Sequence, residues 1–195
     1  MGLITWIKDK YYNHILNSAD ELYASNDISR AEQIYMDILG KQPDAAEHLA
    51  KMYCEIAESG KDELENLSKI KNLLARAPFG KNDLIPYHTR VVRHIEATAD
   101  NDFKNKKYAR ASRFLKAIEI DKRGNTAFAQ KNRICSLYVS LNAVEYDTSY
   151  KSALSTIDTY CNNVDKEVED AILGTVTRLH KSKKLDRAYL LANCL

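Results

Sequence analysis

Tyr108-Ala109-Arg110-Ala111 is echoed three times in the chain, as Ile28-Ser29-Arg30-Ala31, Tyr150-Lys151-Ser152-Ala153 and Leu185-Asp186-Arg187-Ala188. Each phrase places a large apolar residue, two mostly polar ones and an alanine ahead of an apolar pattern with helical spacing. A weaker fifth copy carries Glu63 in the bulky place and Asn66 in the alanine place. The alanine-type positions 31, 66, 111, 153 and 188 are 35, 45, 42 and 35 residues apart. Self-similarity at such a period marks a stack of small units, each burying its apolar face against its neighbours.

Aligning on those positions brings other columns into register. Ala19, Cys54, Ala99, Leu141 and Val176 stand twelve residues earlier, and Ile15, Ala50, Ile95, Leu137 and Ile172 four before those. Tyr35, Ile70, Leu115, Ile157 and Ala192 stand four residues after. Pro43 and Pro78 close the first two units. Together these residues resemble the tetratricopeptide repeat, a helix-turn-helix unit of about 34 residues. A small residue in each helix lets the pair cross closely, because helices approach only where neither carries a bulky side chain. Tyr108 and Leu185 would then cover the start of the second helix.

The resemblance implies an all-α fold, a right-handed α-α superhelix of about ten helices running through 1–195 as one array. Its units are approximately 12–45, 46–80, 84–125, 126–164 and 166–195. The first and third match best. The second lacks the small residue at Asn66, the fourth has Leu141 where a small residue is expected, and the late slot holds Ile38, Leu73, Ile118, Tyr160 and Leu195 rather than alanine.

Composition agrees with helices. Three prolines and six glycines in 195 residues argue against a sandwich or barrel. No stretch approaches the roughly 20 apolar residues of a membrane span. A net charge of +2 gives no hint of a polyanion partner. Cys54, Cys135, Cys161 and Cys194 are scattered, with no CxxC and no histidine pair nearby, as expected of buried free thiols in a reducing cytoplasm.

Periodicity and turn residues predict helices over 3–24, 28–39, 44–58, 62–77, about 86–105, 107–120, 127–145, 148–161, 166–181 and 184 to the end. Gly40 and Ser59-Gly60 end two of them. Residues 78–83 read as a longer loop, Pro86 suits a first helical turn, and Thr126 is the expected N-cap of the seventh helix. The last residues, Leu191-Ala192-Asn193-Cys194-Leu195, lie inside an apolar helix whose outer face looks uncapped. That suggests a fragment of a longer protein, or a seam that docks on another copy or a following domain.

The expected function is correspondingly non-enzymatic. No GxSxG, phosphate-cradling glycine loop or contextual Cys/His pair is present, and the five histidines lack metal-ligand spacing. No cofactor or metal is expected. In tetratricopeptide arrays the first helix of each unit lines a concave groove that holds a partner peptide or helix. Carried over by position, the groove residues are Leu16, Asp20 and Tyr23; Lys51, Glu55 and Glu58; Glu96, Asp100 and Phe103; and Tyr138, Asn142 and Glu145. This groove is acidic and aromatic, which suits a basic or amphipathic peptide. Two alternatives stand behind it. One is an N-terminal regulatory or oligomerising module of a larger effector. The other is an RNA- or membrane-associated adaptor, using a basic edge of Lys104, Lys106, Lys107 and Arg110 or the end around Trp6. Asp100, Asp102 and Glu96 dilute the basic edge, and the myristoylation pattern fails at Trp6, so nucleic acid and membrane rank below a protein partner. Trp6 and Ile7 are expected to cap the seam of the first hairpin or to contact a following domain.

Overall fold

The computed structural model describes residues 3–42, 44–76, 81–148, 150–161 and 166–195. Ten α-helices and no strand occur among them: α1 Leu3–Ala24, α2 Ile28–Ile38, α3 Asp44–Glu58, α4 Glu63–Arg76, α5 Lys81–Lys104, α6 Tyr108–Ala117, α7 Thr126–Tyr146, α8 Tyr150–Cys161, α9 Lys166–Lys181 and α10 Leu185–Ala192. The all-α expectation holds. The chain divides into two compact units, Met1–Ile95 and Glu96–Leu195, with the division inside α5. In the first unit α1 packs on α2, α3 on α4, and α2 on α3. In the second α6 packs on α7, α7 on α8, α9 on α10, and α7 also on α9.

The aligned columns are the core. Ala31, Ala111, Ala153 and Ala188 are all buried, as are Ala19, Cys54, Ala99 and Leu141 one column over. Tyr35, Ile70, Leu115 and Ile157 are buried too, whereas Ala192 and Leu195 are exposed. In the second unit, Leu137, Leu141, Val144, Ile157, Val168, Ile172 and Leu179 form one apolar cluster.

The hairpin turns repeat in atomic detail. After α1, Asn26 adopts the left-handed conformation at φ 67°, its N–H donates to the Tyr23 carbonyl, and the Asp27 N–H donates to the Leu22 carbonyl. After α5, Lys106 at φ 59° and Lys107 donate to Phe103 and Asp102. After α9, Lys183 at φ 59° and Lys184 donate to His180 and Leu179. Each is a Schellman closure, with an extra twist of backbone that glycine normally supplies. Asp27, Lys107 and Lys184 then open the next helix with nearly the same φ and ψ, near −87° and 60°. The alanine four residues on donates back to each of them, at 3.0 to 3.1 Å.

The second hairpin explains its own irregularity. Gly60, at φ 81°, makes the same closure onto Ala57, but one further residue, Asp62 at φ 45°, is inserted before α4. Asn66, in the alanine slot, donates its side-chain amide to the Lys61 carbonyl at 3.3 Å and the Asp62 carbonyl at 3.1 Å. The asparagine therefore ties down the carbonyls of the longer turn. The α7–α8 turn differs, since α7 ends on Asp147 in an extended conformation.

Several local expectations are corrected. Residues 81–83 belong to α5, so Pro86 lies in its second turn rather than its first. The helix starts early because Asp83 suits the positive end of its dipole. Asn125, not Thr126, caps α7: its side-chain oxygen accepts from the Phe128 N–H at 3.0 Å. Leu185 is exposed rather than covering its helix, while Tyr108 is half-buried as expected. Trp6 is also exposed, with the Lys10 ammonium 4.4 Å above its ring, and does not seal the hairpin seam. Pro43, Pro78 and the side chain of Ile7 lie outside the described residues. No described helix is long and apolar enough to cross a membrane.

Candidate functional site

Most of the acidic groove residues expected from the sequence hold the protein together. In the first unit, Asp20 of α1 accepts from Tyr35 Oη at 2.5 Å and lies 2.7 Å from His48 Nδ1 on α3. Tyr23 donates to Glu55 at 2.8 Å, and burial, with this bond, pushes the tyrosine hydroxyl up to about 12. Glu58 receives Arg90 through two hydrogen bonds, at 3.1 and 2.6 Å. Leu16 is buried in the core, and Lys51 is exposed.

The second unit continues the pattern. Glu96 accepts from Lys122 at 2.5 Å, and Asp100 accepts from Lys131 on α7. Glu145 of α7 accepts from Arg178 Nε on α9, at 2.9 and 3.2 Å. These partners lie 26 to 33 residues apart, and all of the pairs except Glu96–Lys122, which falls within the third unit, staple one hairpin to the next. The expected negative face is therefore largely neutralised from within.

The second unit holds an open cavity of about 1210 Å³. Because α7 packs on both α6 and α9, α7 is its floor and the other two are its walls. Tyr138, Val139, Leu141, Asn142 and Glu145 come from α7. On one side, the Schellman turn lifts Lys106 and Lys107 onto the rim, followed by Tyr108 and Arg110. On the other, α9 contributes Glu167, Asp170, Ala171, Gly174 and Thr175, with Lys166 at its start.

An aromatic step joins the first wall to the floor. Tyr108 and Tyr138 stack with ring centroids 4.1 Å apart and planes 6° from parallel, and Phe103 meets Tyr108 edge-on at 5.7 Å. Burial raises the Tyr108 hydroxyl, helped by Tyr138 and the Glu167 carboxylate. Thus Phe103, Tyr138, Asn142 and Glu145 from the expected groove gather here with Lys106, Lys107 and Arg110 of the basic edge. Lys104 is exposed but does not line the cavity. Arg110 Nε lies 3.2 Å from the buried Asp102 carboxylate, so much of its charge is matched inside the protein.

One end of the cavity is locked. Arg178 also donates to Thr175 Oγ1 at 2.9 Å, and that hydroxyl donates to the Ala171 carbonyl at 3.0 Å. Lys184 and Arg187 donate to the Glu145 and Val144 carbonyls at 2.5 and 2.9 Å, satisfying the end of α7 with cations that its dipole favours. The α9 wall was missed from sequence because the groove pattern was carried only through the fourth unit. Its signal was the spacing of Glu167, Asp170, Ala171 and Gly174, which share one helical face. Among the described residues no group of three or more His, Cys, Asp or Glu side chains is placed to hold a metal ion.

Comparison with protein-family models, with curated proteins and with solved structures returns no match.

Proposed function

We propose that this chain is a non-enzymatic interaction scaffold of tetratricopeptide-like hairpins that holds a partner peptide or helix in the α6–α7–α9 cavity. The observation that carries the reading is the cavity itself: about 1210 Å³ of open space with an apolar and aromatic floor and charged rims. Recognition sites of this kind combine apolar area for affinity with a few placed charges for orientation. Repeated buried columns and near-identical hairpin turns support the repeat character, since binding surfaces of stacked repeats come from successive equivalent helices. Cytoplasmic residence belongs to the same reading, because Cys54 and Cys135 are buried free thiols suited to a reducing compartment.

Panning the full chain against a displayed library of random twelve-residue peptides tests the proposal. Enriched peptides should bind the parent in the micromolar range and lose at least tenfold on Tyr138→Ala or Val139→Glu, with circular dichroism unchanged. No enrichment, or peptides indifferent to both substitutions, would remove the cavity as the binding site.

A further inference from the structure

We infer that the occupant of the α6–α7–α9 cavity is a short amphipathic α-helix of a partner protein, lying against Ala171 and Gly174 with an acidic flank toward Lys106 and Lys107 and a basic flank toward Glu167 and Asp170. The inference rests on the scaffold reading and specifies its ligand. Three independent observations carry it.

The first is size. About 1210 Å³ lies open between α6, α7 and α9, room for a helical segment of a few turns, each about 5.4 Å long.

The second is Gly174. Glycine inside a helix loses more backbone freedom on folding than any other residue, so it persists where something needs the space. Among the described residues, a Cβ at Gly174 would meet only the Arg178 guanidinium, at an ordinary contact distance of 3.7 Å. Gly174 lines the cavity three residues after Ala171, on the same wall. The bare backbone there lets a second helix approach as closely as small residues allow at helix crossings.

The third is charge. Lys106 and Lys107 on one rim, and Glu167 and Asp170 on the other, make no ion pair among the described residues, unlike the carboxylates stapled elsewhere. Lys166 offsets one charge on the α9 rim, leaving it net negative by one against two positive charges opposite. An extended peptide alternates its side chains between two faces, whereas a helix can present an apolar stripe with a different charge on each shoulder. Rims of opposite sign along an apolar floor match the helix. Rim charges act mainly on orientation and association rate.

The test uses two displayed libraries with the same randomised positions, one on a helix-forming scaffold and one interrupted by a central proline, panned on the full chain. The helical library should enrich clones with Asp or Glu on one shoulder and Lys or Arg on the other. As synthetic peptides these should bind Lys106→Glu/Lys107→Glu at least tenfold more weakly, and exchanging the two shoulders' charges should restore affinity. Gly174→Ala should raise the melting temperature by a few degrees yet weaken binding several-fold, and Gly174→Leu should abolish it. Equal enrichment of the proline library with loss on Gly174→Leu would overturn the helical occupant and leave the scaffold reading standing. Helical clones indifferent to Gly174→Leu or to the lysine reversal would overturn the docking geometry in the same way. If neither these libraries nor the random peptides enrich, both readings fall.

Discussion

Arg178→Met should cost about 2 kcal/mol in the packing of α9 and α10 on α7, and adding Glu145→Gln should recover about half of that. Glu145 has only 11% of its side chain exposed, and Arg178 Nε reaches both carboxylate oxygens. Two unit charges about 4 Å apart attract by about 4 kcal/mol at an effective dielectric of 20, much of which is offset by removing the carboxylate from water. Breaking a fully buried pair costs about 3–5 kcal/mol, because the surviving charge is stranded. Arg178, however, is 56% exposed, so its removal admits water to Glu145 and lowers the cost to about 2 kcal/mol. With glutamine opposite methionine no charge is stranded, and about 1 kcal/mol of lost hydrogen bonding remains. Hydrogen exchange of the α9 and α10 amides reports on this site directly, and about 2 kcal/mol corresponds to roughly thirty-fold faster exchange. The reasoning fails if the single variant exchanges within about threefold of the parent, or if the double variant exchanges as fast as the single one.

Ala111→Leu should lose about 1–3 kcal/mol, because Ala111 is fully buried at the α6 crossing; urea unfolding followed by circular dichroism measures it, and an unchanged midpoint would break the register. Lys183→Gly should gain about 0.5–1 kcal/mol by relieving a left-handed lysine, seen as a higher melting temperature. Asn66→Ala should lose about 1 kcal/mol as two turn carbonyls lose their donor, and Asn66→Asp should fail to restore it because the carboxylate cannot donate. Burial pushes the Cys54 and Cys135 thiols up to about 11 from 9. The unfolded chain releases these protons first, so stability is intact below pH 9 and falls between pH 9 and 11. Replacing both cysteines with alanine should remove most of the fall in melting temperature between pH 9 and 10, above which the raised tyrosines add their own loss.

The helices were legible because apolar periodicity and turn residues agree along the chain: the bounds expected for α1, α3 and α9 match those observed. The turns were only half legible. Asn26 and Gly60 are residue types that tolerate the left-handed region, whereas Lys106 and Lys183 carry no such mark and are held there by the Schellman hydrogen bonds. Asn66 looked like a defect in the repeat because the inserted Asp62 is invisible without the backbone. The largest revision concerns charge. Columns show that Glu55, Glu58, Glu96, Asp100 and Glu145 recur on the first helix of each hairpin, but not that a tyrosine, arginine or lysine about one repeat away reaches each of them. Pairing over that distance depends on how helices stack, which no local pattern encodes.

The contact between α7 and α9 has a kinetic meaning. This pair packs closely although it skips an element, with α8 intervening. Pairs adjacent in sequence close short loops and form early, while the pair that spans a whole helix must wait for its loop to be closed. The floor of the cavity and its second wall are therefore expected to meet last, so a chain that is already largely helical still lacks the complete cavity.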